Sequence, residues 1–321
     1  MNGVLIIDKP TGLTSHDVVN RVRRILQERS VGHLGTLDPL ATGVLPLVMG
    51  NLTRLAQFYT ASEKTYEGTI RFGFATDTYD AEGEPTSPAQ VVSISLDQVR
   101  QLASRFQGTI EQTPPPFSAK KIQGVPAYKL ARKHAEVALK PVQVEIKEFE
   151  IVRVDSRVGP DAPVRSAEQS SAGCIATFRA RVASGTYIRS VAHDMGQQVG
   201  CGAHLESLRR TAVGEFTLAD AHTLEELTAA SKADHAEDLF IHPRKLLPQF
   251  PSVTANEEMT ARIRTGRPVN LPELSQSRLV KVFTGQRELI AIATRVAGTL
   301  FHAKIVLTAE PATQLANNNK D

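Results

Sequence analysis

The sequence predicts an α+β protein: a mixed, mainly antiparallel sheet flanked by helices, followed by a small, mostly β unit. Three observations predict it. Stretches with strand alternation, such as Tyr66, Gly68, Ile70, Phe72 and Phe74, are interspersed with stretches of helical spacing, such as Val18, Val19, Val22, Ile25 and Leu26. No regular βαβ alternation points to a Rossmann core. Beyond Pro251, three short strand-like runs follow a single short helix.

In chain order, Val4 to Ile7 reads as a short buried strand, and Thr14 or Ser15 can cap the helix that follows. His33 to Gly43 reads as a loop from its Gly, Thr, Asp and Pro content. Val44 to Met49 is apolar enough for a strand, and Thr65 to Phe74 alternates as one. Leu96 to Phe106 is helical, and the Pro114-Pro115-Pro116 run after it is extended. Val142 to Val154 and Ile175 to Val182 read as strands. Between them, Asp155 to Gly173 is rich in Ser, Pro, Ala and Gly and lacks aromatics, so 155–173 is expected to be a disordered insertion. Tyr187 to Val199 is helical and ends at Gly200-Cys201-Gly202. A boundary falls near Pro243 to Pro251. Residues 1–247 thus form one domain and 251–310 a second, with a frayed tail at 311–321.

At 321 residues the chain has room for two such domains and needs no staples to bury a core. Two cysteines, Cys174 and Cys201, cannot build a disulfide framework and suit a reducing compartment. Neither a signal h-region nor a membrane-length apolar stretch is present, so a cytoplasmic protein is expected. The net charge of +3 decides little. The stretch Ser118 to Ala135 says more: Lys120, Lys121, Lys129, Arg132 and Lys133 occur there with no acid between them. It reads either as a solvated face or as a phosphate-contacting patch.

Four segments carry candidate chemistry. Gly32-His33-Leu34-Gly35-Thr36-Leu37-Asp38-Pro39 places one carboxylate in a tight loop. Asp-Pro is an ordinary turn pair, but Pro39 also restricts Asp38 to extended backbone. A carboxylate held this way at a cleft floor is ionised at neutral pH and available as nucleophile or base. In Ser184-Gly185-Thr186-Tyr187-Ile188-Arg189, a glycine turn leads into a helix and puts Tyr187 and Arg189 at its N-terminus. Lys64-Thr65-Tyr66 opens a strand. Leu208-Arg209-Arg210-Thr211 reads by itself as a solvated basic turn.

Taken together with Lys9-Pro10-Thr11-Gly12-Leu13-Thr14-Ser15, these segments resemble the signature blocks of the bacterial TruB family of pseudouridine synthases. They occur in the family's order, across residues 3–247. Residues 251–310 are similar in size and strand content to the family's RNA-binding PUA-like domain.

The resemblance implies a pseudouridine-synthase fold and isomerisation of uridine-55 in the T arm of tRNA, with no cofactor and no metal. Asp38 is then the catalytic carboxylate and Arg189 its ion-pair partner, while Tyr66 packs on the base and assists loss of the C5 proton. Tyr187 lines the pocket, Leu208 packs on the base, and His33 fills the gap left by a flipped uridine. Lys64, Arg209, Lys120 and Lys121 contact the RNA, and the enzyme acts as a monomer. Three other readings stay open. One is a guide-RNA-dependent synthase of the dyskerin type, and another is a non-catalytic RNA-binding or chaperone-like protein of the same fold. The third is a metal-dependent hydrolase built on His33, Asp38, His193 and Asp194.

Overall fold

The computed structural model describes residues 1–118, 120–122, 124–131, 139–157 and 173–307. Arg132, Lys133, most of the 155–173 stretch and the 311–321 tail lie outside them, as do the side chains of Lys121 and Lys129.

The first body contains, in order, β1 (Gly3–Lys9), α1 (Ser15–Leu26), β2 (Val31–His33), β3 (Thr42–Met49), α2 (Ala56–Tyr59), β4 (Lys64–Phe72), α3 (Leu96–Ser104) and β5 (Gly108–Gln112). It continues with the hairpin β6 (Lys121–Ile122) and β7 (Val125–Pro126), then α4 (Ala127–Ala131), β8 (Val142–Arg157), β9 (Gly173–Val182), α5 (Ile188–Val199), β10 (Ala203–Val213), β11 (Phe216–Thr217), β12 (Ala221–His222) and α6 (Leu224–Lys232). Among the described residues these strands, apart from the separate β6–β7 hairpin, form one large sheet in the order β12-β1-β3-β10-β4-β9-β8-β5, with β2 against β3 and β11 against β10. The β1–β12 and β3–β10 pairs are parallel and the others antiparallel, as the sequence predicts for a mixed sheet.

The second sheet combines β13 (Ser252–Thr254), β14 (Val269–Asn270), β15 (Leu279–Thr284), β16 (Glu288–Ala297) and β17 (Leu300–Val306), with α7 (Glu257–Arg264) between β13 and β14.

The apolar runs of β1 and β3 follow from burial on both faces. Leu5, Ile7, Leu45, Leu47 and Met49 face the cluster that contains Val18, Val19 and Val22 of α1 and Val191, Ala192 and Met195 of α5. Val4, Ile6, Val44 and Val48 face the opposite way, into a cluster shared with Phe283, Leu289, Ile292 and Ile305 of the second sheet. The second sheet therefore covers one face of the first.

Local chemistry sets the element ends. Thr14 is the N-cap of α1: its hydroxyl accepts from Asp17 N at 3.0 Å, and Asp17 returns a carboxylate to Thr14 N at 2.9 Å. Two segments differ from the sequence reading. His33 closes β2 and Thr42-Gly43 opens β3, so the loop shrinks to residues 34–41. Leu208 to Thr211 is not a turn but the centre of β10, and Arg210 is almost wholly buried. A run of two arginines hides a strand from composition because one guanidinium faces inward to be satisfied by carbonyls.

Candidate active site

The 34–41 loop carries Asp38, and buried polar groups fix the loop on two sides. Ser15 Oγ accepts from Leu37 N at 2.8 Å and donates to Leu37 O at 3.1 Å. Lys9 is fully buried, and its Nζ donates to Leu13 O (2.6 Å), Pro10 O (2.9 Å) and Pro39 O (3.2 Å). Burial pushes the Lys9 ammonium down to about 8, opposed by the charges of Glu82 and Asp38. Arg210 enters from β10 and donates Nε to Val44 O (2.8 Å), Nη1 to Thr36 O (3.2 Å) and Nη2 to Gly35 O (3.1 Å). The approach of β3 to β10 needs Gly43, at φ +100°, because a Cβ there would stand 2.2 Å from Arg210 O.

Arg189, in the first turn of α5, draws three separate segments together. Its Nε stands 2.9 Å from Asp38 Oδ2, with the arginine side chain 6% exposed and the aspartate 41%. The approach lies outside hydrogen-bond alignment, so charge holds the pair rather than a directed bond. Nη1 donates to Thr78 O at 2.9 Å and lies 3.5 Å from the buried Asp80 Oδ2. Nη2 donates to Phe117 O at 2.9 Å. Glu82 adds a third nearby carboxylate: burial raises its pKa, and the charges of Asp80 and Asp38 raise it further.

The start of α5 is itself held from β5. The buried Gln112 side chain accepts from Tyr187 N at 2.8 Å and donates to Tyr187 O at 3.0 Å. Ser190 Oγ donates to Thr113 O at 2.8 Å. Tyr187 is the N-cap position and half-buried, and that burial raises its phenol pKa.

The remaining residues named from the sequence fall as follows. Tyr66 is buried on β4 opposite Arg210 and Ala180. It belongs to the same cluster as Leu37 and Ile188, the chain neighbours of Asp38 and Arg189, and as Ala41 of the same loop, and Leu208 packs against that cluster. Lys64 is half-buried, with Nζ on Ser62 O at 2.6 Å, and burial lowers its pKa. His33 is half-buried and its pKa is lowered, first by burial and then by the Arg210 charge. Its Nδ1 accepts from Gly35 N at 3.3 Å, which leaves Nε2 as the donor. Arg209 turns to Asp8, with contacts of 2.7 and 3.1 Å. Lys120 is exposed, and Lys121 opens β6. His193 stacks on Tyr79 instead of approaching Asp38. No group of three or more His, Cys, Asp or Glu side chains able to hold a metal ion occurs among the described residues.

Sequence reasoning missed Thr78, Asp80, Gln112 and Phe117, and it missed the bracing by Lys9 and Arg210. A Thr-Asp-Thr-Tyr-Asp run reads as an ordinary polar turn, and a glutamine at a strand end carries no signal until its partner is known.

This arrangement presents an exposed carboxylate on a loop braced by Ser15, Lys9 and Arg210, paired with a buried guanidinium. Residues 23–188 match the family described as TruB family pseudouridylate synthase (N terminal domain), and residues 189–248 match the tRNA pseudouridylate synthase B C-terminal domain. The chain is similar to tRNA pseudouridine synthase B of Solibacter usitatus, 48% identical, over 96% of this chain and all of that one. It is also similar to the Aquifex aeolicus protein of the same name, 36% identical, with the same two coverages. Among solved structures, a Cbf5-Nop10-Gar1 complex matches 95% of this chain and 85% of that one, at a TM-score of 0.67 and 24% identity. An H/ACA RNP bound to a substrate RNA containing 2'-deoxyuridine matches 96% and 86%, at 0.68 and 23%. These two likenesses show the pseudouridine-synthase fold. With its order of signature segments and family matches running from residue 23 to residue 248, the chain belongs to the TruB family of pseudouridylate synthases.

Proposed function

We propose that this chain is a tRNA pseudouridine synthase that isomerises uridine-55 of the T loop, acting as a monomer in the cytoplasm. The observation that carries this reading is the Asp38–Arg189 pair, an exposed carboxylate beside a buried arginine at 2.9 Å. The names of its relatives support the tRNA substrate. Binding alone requires no pocket carboxylate facing a polyanion, so the pair favours an enzyme over an RNA chaperone.

The reaction is an isomerisation. The C1′–N1 bond breaks, the uracil turns, C1′ bonds to C5, the C5 proton leaves and N1 gains one. Asp38 attacks C1′ or removes a sugar proton. The charge of Arg189 holds Asp38 aimed, and its contacts to Thr78, Asp80 and Phe117 keep the guanidinium in place when substrate displaces part of the pair. Tyr66 packs on the base and assists loss of the C5 proton, Tyr187 and Leu208 line the pocket, and His33 fills the stack that the flipped base leaves. Lys64, Lys120 and Lys121 meet backbone phosphates. Arg209 does so only if it leaves Asp8.

The test maps pseudouridine by chemical sequencing on an unmodified tRNA transcript and on a T-arm minihelix, with wild-type protein and Asp38→Asn. Wild type modifies the T-loop uridine of both RNAs, in the presence of EDTA. Asp38→Asn binds tRNA and modifies neither. Turnover by the Asn variant, or modification confined to another loop, overturns the reading.

A further inference from the structure

Tyr79 has a left-handed backbone, φ +67°, which a bulky residue adopts only when its surroundings impose it. It lies at the centre of the turn whose two neighbouring residues grip Arg189, Thr78 through its carbonyl and Asp80 through its carboxylate. The turn is pinned to β10 by Leu205 N donating to Tyr79 O (3.0 Å) and Ala81 N donating to Leu205 O (2.9 Å). Thr78 Oγ1 donates to Asp80 Oδ1 at 2.6 Å and Glu82 N to the same oxygen at 3.1 Å, which fixes the carboxylate.

The opposite side of the turn rests on α5. The Tyr79 ring stacks on His193, with centroids 3.7 Å apart and planes 13° from parallel. His193 is one helical turn beyond Arg189, so consecutive turns of a single helix hold the same segment, one by the guanidinium and the other by the stack. The imidazole acts here as a flat surface: its Nδ1 is buried without a hydrogen-bond partner. Burial also lowers its pKa.

We infer that Tyr79 and His193 are a positioning pair for the reaction: the stack holds the strained turn against α5 so that Thr78 and Asp80 present their oxygens to Arg189, which in turn aims Asp38. Neither ring touches the reacting atoms. The inference rests on the assignment of Asp38 and Arg189 made above.

The experiment measures single-turnover rates on an unmodified tRNA transcript at saturating enzyme, with tRNA affinity and melting temperature alongside. Tyr79→Ala and His193→Ala each lower the rate by roughly 10-fold, with affinity for tRNA unaltered. The double variant is no slower than either single one, because both remove the same contact. His193→Phe restores the rate, since it keeps the face and removes a buried nitrogen that has no partner. His193→Ala turning over at the wild-type rate overturns the inference, as does a double variant whose losses multiply. If Tyr79→Ala does not fold, His193→Ala decides, because it leaves every residue of the turn in place. Loss of activity in Asp38→Asn with full activity in His193→Ala refutes this inference alone, whereas an active Asp38→Asn refutes the assignment beneath it.

Discussion

Arg189 Nε and Asp38 Oδ2 stand 2.9 Å apart, and only the aspartate reaches solvent. The guanidinium is committed on its other nitrogens to Thr78 O, Phe117 O and Asp80, so the exposed partner of the pair is the one left able to turn toward a substrate.

Arg189→Lys therefore keeps the charge and loses the fork. An ammonium cannot reach Asp38, Thr78 and Phe117 together. The variant is expected to lose most of its single-turnover rate while retaining tRNA binding. Arg189→Met also leaves Asp80 buried beside no cation and is expected to cost about 3 kcal/mol of stability. Urea unfolding of the two variants checks the difference, and equal stabilities would contradict the role given to Asp80.

Lys9 gives a pH signature. Its folded pKa is lowered to about 8 from 10.5, so the folded chain holds fewer protons than the unfolded chain between those values. The penalty for burying the ammonium is fully present below about 8 and is relieved as pH rises toward 10.5. From this group alone, stability rises with pH across that window, by at most about 1.4 kcal/mol per unit. Lys9→Met lacks the effect. The stability difference between wild type and Lys9→Met should shift in favour of wild type from pH 8 to pH 10 in denaturant titrations, and a constant difference would show that Lys9 titrates normally.

The second sheet is expected to matter for folding as well as for RNA. Tyr59 OH donates to Glu215 Oε1 at 2.7 Å, Leu247 N donates to the same oxygen at 2.9 Å, and Lys281 Nζ reaches Leu246 O at 2.6 Å. These bonds anchor the connecting residues Leu246 and Leu247 to the first body on one side and to β15 on the other, and the shared apolar cluster joins the two sheets. Deleting residues 251–321 strips the cover from Val4, Ile6, Val44 and Val48 and is expected to cost on the order of 5 kcal/mol or more. A fall in melting temperature before any tRNA is added is the sign to look for. An RNA contact by the C-terminal unit would be tested in the full chain, with Arg262→Ala and Arg264→Ala on α7, by comparing full tRNA with the minihelix.

Removing charge at Lys120, Lys121 and Lys129 together is expected to raise the apparent KM and to flatten the dependence of log affinity on log salt by about 2, since fewer counterions are released on binding. Binding measured at several salt concentrations decides. An unchanged slope would make the stretch a solvated face.

Residue types and spacing by themselves determined the helices around Val18 and Val191 and three of the five strands of the second sheet, while the order of the signature segments pointed to the family and, through that resemblance, to Asp38 and Arg189 as a pair. Apolar periodicity and turn residues act over a few positions, and the signature segments are contiguous, so each could be read locally. The tertiary structure alone decided what surrounds the pair. Lys9 and Arg210 look like surface cations until their carbonyl partners, some of them far along the chain, close around them. Gln112 becomes a clamp only when Tyr187 arrives from 75 residues away. Tyr79 becomes part of the site only because α5 brings His193 beneath it. Burial is a property of the packed chain, and it converts an ordinary polar residue into a bracing one by removing water as the alternative partner.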